Sequence, residues 1–199
     1  MKKIIITILV ICLLLPVLYV LNATIDPFDM YLNEGELDQY DTDVKKINEY
    51  YEKIYFYGED IYFRDTLKIV ENISEITKDK LVSNGGKSWI VINDIAGTVK
   101  LEEKHFKIIK NAMDKEKISF VYIGQQYISQ INEYIAEGDD RYVYSEDAYS
   151  VLLQVTERGM IGEDGTIDDV AWHKFLNGED KEIISFYVIS SIVHAIGDY

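Results

Sequence analysis

The sequence predicts an α/β fold. The expected domain is a Rossmann-like, three-layer one with an open, mostly parallel sheet and helices on both faces, preceded by an N-terminal transmembrane helix and a helical segment. Three observations lead there. Two short runs, "SWIVIND" (Ser88–Asp94) and "ISFVYIG" (118–124), are apolar at almost every position, as strands buried on both faces are. Each is followed by a stretch of helical periodicity, and strand–helix alternation implies parallel pairing through right-handed crossovers. The chain opens with two lysines and a long uncharged run.

That run, residues 4–21, sits behind Lys2 and Lys3. At about 1.5 Å per residue it reaches roughly 27 Å, close to the ~30 Å hydrocarbon core of a bilayer. Backbone groups in lipid must bond within their own segment, so it is a helix. Lysines on the cytoplasmic side place the rest of the chain outside. Residues 1–23 are thus expected to be a signal-anchor, making the protein single-pass in the cell membrane with an extracytoplasmic C-terminal domain. A cleaved signal peptide is the rival. Its apolar region usually runs about 7–15 residues, and a cut after Ala23 would put bulky Leu21 three positions before it. Cys12, the sole cysteine, lies inside the apolar run, so the exported part has no disulfide and depends on its core.

Residues 24–43 are acidic and poorly periodic, and are expected to be a linker to a domain spanning 44–199. "DVKKINEYYEKIYFYGEDIYF" fits a helix, or a helix that breaks near Gly58. "RDTLKIVENISEITKDKLV" sets Leu67, Val70, Ile73 and Ile76 at helical spacing. "SNGGK" is a turn before the first buried strand. "LEEKHFKIIKNAMDKEK" is a helix, with Phe106, Ile109 and Met113 on a broad face that also takes Leu101, Ile108 and Ala112. "QQYISQINEYIAEG" is a second, ending near Gly138. "RYVYSE" (141–146) is expected to be a short third strand and "DAYSVLLQVTERGMI" a helix. "GEDGTIDD" is a polar loop. The apolar run 183–196 is too short to cross a membrane comfortably and is expected to be a core helix.

The formal net charge is −15; without Lys2 and Lys3, 18 basic residues face 35 acidic ones, a net −17. Such a surface repels nucleic acid and anionic headgroups, which excludes nucleic-acid binding and favours cations, basic partners or solubility. His105, His173 and His194 are far apart and have no cysteine partners, so no zinc spacing exists. "GEDGTIDD" lacks the first-position Asp and twelfth-position Glu of an EF-hand loop. "GGKS" precedes a strand, whereas a P-loop follows one. No Ser-His-Asp or Cys-His signature is present, and no cofactor or metal is predicted. Tyr50, Tyr51, Tyr55, Tyr57 and Tyr62 suit core packing, or an interface where tyrosine is favoured.

In an open parallel sheet, ligands bind outside the carboxyl ends of the strands. Here those ends are Asn93, Asp94 and Thr98 after one strand, Gly124, Gln125 and Gln126 after the next, and Ser145 and Glu146 after the third. The two glutamines can donate to and accept from a polar ligand. Asp94 and Glu146 have the chemistry to hold a hard cation. The candidate ligand-binding set is therefore Asn93, Asp94, Thr98, Gln125, Gln126 and Glu146.

"DIAGTV", residues 94–99, resembles the Asp-x-Asp-Gly-Thr motif of haloacid dehalogenase-type phosphohydrolases. Asp94 takes the nucleophile position, Gly97 and Thr98 are in place, and Ala96 stands where the second Asp usually does, as the phosphonatase branch tolerates. The resemblance implies attack of the Asp94 carboxylate on phosphorus with Mg²⁺ neutralising charge. It covers six residues. "ISFVYIG" ends without the family's Ser or Thr, no lysine sits in the third motif's context, and some ninety residues precede Asp94. The expected function is a membrane-anchored binding or interaction module, held in the membrane through residues 4–21 and open to a protein partner, rather than an enzyme. The alternative is a divergent Mg-dependent phosphohydrolase-like or small-molecule-sensing domain using the crevice around Asp94.

Overall fold

The structure, a computed structural model, describes residues 32–64, 66–83, 87–135, 150–155, 173–175 and 181–197. The predicted transmembrane segment lies outside these residues, as do strand 141–146 and Ser145 and Glu146 within it. The elements run α1 (Glu34–Tyr50), β1 (Lys53–Gly58), β2 (Val70–Asn72), β3 (Ser88–Asp94), α2 (Glu103–Glu116), β4 (Ser119–Gly124), α3 (Ile128–Tyr134), β5 (Ser150–Val155), β6 (His173–Phe175) and α4 (Lys181–Gly197).

One sheet has the order β2-β1-β3-β4-β5-β6. β2, β1, β3 and β4 are mutually parallel, while β5 runs antiparallel to β4 and β6 antiparallel to β5. The expected open α/β sheet is present, with its parallel part in four adjacent strands. Every residue of β3 and β4 is buried. Alternation along each strand divides the core in two. Tyr55, Ile90, Ile92, Phe120 and Tyr122 meet Phe106, Ile109 and Met113 of α2 and Ile131 of α3. Ile54, Phe56, Trp89, Val91, Val121 and Ile123 meet Tyr40, Val44 and Ile47 of α1 and Ile184, Val188, Ile189 and Ile192 of α4. Helices therefore cover both faces. Tyr51 and Tyr55 of the tyrosine cluster belong to the core.

Four expectations need correction. The helix expected to run to Gly58 ends at Tyr50, and Lys53–Gly58 is the strand β1. The acidic stretch taken for linker is helical from Glu34 onward. Asn33 caps α1: its Oδ1 accepts from the Glu36 amide (3.1 Å), and the Glu36 carboxylate accepts from the Asn33 amide (2.8 Å). Glu34, Asp38 and Asp41 lie on α1's solvated face, and Tyr40, Asp43, Val44 and Ile47 are its buried one. Asn33→Ala is expected to cost about 1 kcal/mol, a fall in Tm of roughly 2–4 °C read by circular dichroism.

The helix expected over 64–82 is instead irregular chain around β2. Leu67 packs on the α1–α4 face, while Ile73, Ile76 and Leu81 pack on the α2–α3 face. The segment rounds the sheet edge, so its apolar residues serve two cores rather than one helical stripe. The fourth correction is β5, which forms where a helix was expected. "SVLLQV" is a short apolar run, for which periodicity does not separate helix from strand. By contrast, 181–197 is the expected core helix, tied to α1 by a hydrogen bond between the Tyr40 and Ser185 hydroxyls (3.0 Å). Among the described residues no helix is long and apolar enough to cross a membrane.

Candidate functional site

From β1 the chain moves outward to β2, then returns past β1 to β3 and continues to β4. The sheet order therefore reverses between β1 and β3, and crevices form at the carboxyl ends of such a pair.

Both strands end in a backbone clasp. The Glu59 amide donates to the Asn93 carbonyl (2.9 Å), and Asn93 Nδ2 donates to the Glu59 carbonyl (2.7 Å). The approach is possible because residue 58 is glycine. Its φ is +111°, and a Cβ there would lie 2.2 Å from the Asn93 carbonyl oxygen. The Glu59 carboxylate in turn holds the following loop, accepting from the Thr98 hydroxyl (2.5 Å) and the Ala96 amide (3.2 Å).

Adjacent residues on a strand face opposite ways, and this separates Asn93 from Asp94. Asp94 turns toward α2 and α3. It is 1% exposed; one carboxylate oxygen accepts from the Val99 amide (2.9 Å) and the other from the Tyr122 hydroxyl (3.0 Å). Burial raises its pKa above the ordinary 3.8, and these two donors only partly oppose the rise. Burial, followed by the charge of Asp94, pushes the Tyr122 hydroxyl well above the ordinary tyrosine range. Tyr122 also accepts from the Tyr127 amide (3.3 Å). The Tyr127 hydroxyl donates to the Val99 carbonyl (2.9 Å) and accepts from the Leu101 amide (2.9 Å) and Gln126 Nε2 (3.1 Å). Asp94 is thus the anchor of a buried network that fixes the loop 95–101.

Asn93 turns the other way, toward α1 and α4, and borders a cleft of about 500 Å³. Gly58, Glu59, Asp60 and Ile61 line it from the β1 side, Ile95 joins Asn93 on the β3 side, and Lys181 and Ile184 come from the start of α4. Asn93 is also 1% exposed, and its Oδ1 is buried without a hydrogen-bond partner among the described residues.

Of the predicted site residues that the structure describes, only Asn93 lines this cleft. Asp94 and Gln126 belong to the tyrosine network, Thr98 is bound to Glu59, and Gln125 is exposed just past β4. Glu146 lies outside the described residues. Glu59, Asp60 and Lys181 were missed, although a signal for the first two exists. "KIYFYGED" and "SFVYIGQQ" share one pattern, an aromatic and branched run closed by glycine and two polar residues, and both glycines have positive φ. His105 is a cap residue: its Nδ1 accepts from the Glu102 amide (2.9 Å), and burial, then Lys104, lowers its pKa. Among the described residues, no three His, Cys, Asp or Glu side chains converge to hold a metal. No protein-family model, curated protein or solved structure matches this chain, so the site itself is the ground for its functional reading.

Proposed function

We propose that this protein is a single-pass membrane protein whose acidic α/β domain lies outside the cytoplasm and binds a ligand or partner at the β1–β3 cleft without transforming it. One observation carries the reading. The only carboxylate in a nucleophile-like motif, Asp94, faces away from the cleft with both oxygens occupied by Val99 and Tyr122. An attacking carboxylate needs an oxygen free to approach phosphorus. Asn93, beside it, offers the cleft a hydrogen-bonding group and no reactive one. The anchor follows from the uncharged run 4–21 behind two lysines.

Two measurements test this. In spheroplasts, protease added outside is expected to degrade the domain while the anchor stays in the membrane fraction; a protected domain overturns the orientation. The full chain with Mg²⁺ and p-nitrophenyl phosphate is expected to hydrolyse no faster than Asp94→Asn. Magnesium-dependent turnover lost in that variant restores the phosphohydrolase alternative.

A further inference from the structure

The β1–β3 cleft has a chemical preference that follows from one atom. The orientation of the Asn93 amide is set, because its Nδ2 donates to the Glu59 carbonyl (2.7 Å). The atom left over is therefore an acceptor, Oδ1, buried and without a donor among the described residues. A buried acceptor without a donor is costly, and native proteins rarely leave one. A group that reaches this oxygen from the cleft is stabilised there by donating a hydrogen bond. An ionised carboxylate cannot do so.

Charge narrows the choice further. Glu59 and Asp60 stand on this rim against one cation, Lys181, and the whole chain carries −15, which draws cations. The Glu59 carboxylate already accepts from Thr98 and Ala96, which leaves exposed Asp60 as the carboxylate at the mouth. Ile61, Ile95 and Ile184 supply apolar wall, and about 500 Å³ is within the size of small-molecule sites.

We infer that the cleft binds a small molecule through a primary ammonium group, which donates to Asn93 Oδ1 and pairs with Asp60 while its aliphatic body lies against the isoleucines. The inference rests on the binding reading above and adds the class of ligand. An ammonium is compact and carries three donors, so one head can meet both partners. Lys181 lines the cleft from α4, so an amino acid has a partner for its carboxylate that a plain amine lacks.

Thermal unfolding of the full chain in detergent tests it, with butylammonium, 4-aminobutyrate, tetramethylammonium, butyrate and butanol as probes. Butylammonium at tenfold excess over its Kd is expected to raise Tm by roughly 3–5 °C. Tetramethylammonium, a cation with no N–H, is expected to do nothing. Asp60→Asn, an exposed change that leaves the fold intact, is expected to weaken butylammonium about tenfold. Asn93→Leu is expected to abolish the shift; because it also breaks the clasp to Glu59, the Asp60 variant carries the result if it unfolds. A larger shift with 4-aminobutyrate supports the inference and engages Lys181; an equal shift supports it without Lys181. Equal shifts with butylammonium and tetramethylammonium overturn it, as does a butylammonium shift unchanged in Asp60→Asn. Stabilisation by butyrate or butanol alone overturns the ammonium assignment and leaves the cleft a binding site. No shift with any probe overturns the inference and leaves a protein partner as the occupant of the cleft.

Discussion

Gly58→Ala is expected to destabilise the domain by about 3–5 kcal/mol. At φ +111° an alanine sits in a backbone region that costs roughly 1–3 kcal/mol for a side-chain-bearing residue. The new methyl would also lie 2.2 Å from the Asn93 carbonyl oxygen and 3.0 Å from a Val99 methyl. Those neighbours belong to the central strand and the core and cannot yield cheaply, so overpacking adds a further ~1–3 kcal/mol. On a stability of about 5–15 kcal/mol this is a large fraction. Tm should fall by roughly 10 °C, or the chain should be recovered aggregated. Gly97→Ala is the control. Its φ is +69°, but a Cβ there meets nothing closer than Gln126 Oε1 at 3.8 Å, so only the left-handed penalty of ~1–2 kcal/mol applies. If the two alanine variants melt together, the clasp between Glu59 and Asn93 is not what holds the strand ends.

The contrast between these glycines explains what the sequence could and could not reveal. β3, β4 and α2 were legible because burial on both faces, or on one helical face, writes a pattern that needs no partner to interpret. β1 was obscured because "NEYYEKIYFYG" passes from helix to strand with no proline or glycine between, so the period changes inside one tyrosine-rich run. The start of α1 did carry a signal, the Asn33-to-Glu36 spacing of a capping box, hidden by acidic composition that resembles a linker. Leu67, Val70, Ile73 and Ile76 misled for a physical reason: spacing by threes fits a helix equally well as a chain rounding a sheet edge between two cores. The site was half legible. Strand-end logic selects Asn93 and Asp94 together. Which of the two faces a cleft depends on which face each crossover covers, and that is decided by the whole topology.

That parity gives Asp94 the second large effect. Asp94→Ala is expected to cost about 2–4 kcal/mol, because it leaves the buried Val99 amide and Tyr122 hydroxyl without their acceptor. Asp94→Asn keeps an acceptor for Val99 and should stay within about 1 kcal/mol of the parent at neutral pH. The sharper test is in how these proteins respond to acid. Burial raises the pKa of Asp94 above 3.8, the value it takes in the unfolded chain. The folded state therefore holds this proton more tightly than the unfolded one. Above the raised folded pKa, the ionised buried carboxylate opposes folding. Stability is gained as pH falls through that value, and the gain is complete once pH is below 3.8. Asp43, buried on α1 beside Gln39 and Lys46, is shifted in the same direction by the same cause. Falling pH also relieves repulsion across the whole acidic surface, so the informative quantity is a difference. The urea midpoint of the parent should rise relative to that of Asp94→Asn between neutral pH and about pH 4, leaving Asp43 and the surface to act equally on both. Parallel midpoints across that range would mean that Asp94 is solvated in the folded protein. A solvated carboxylate at the head of "DIAGTV" would be free to attack, and the nucleophile reading of the motif would then outrank the anchor.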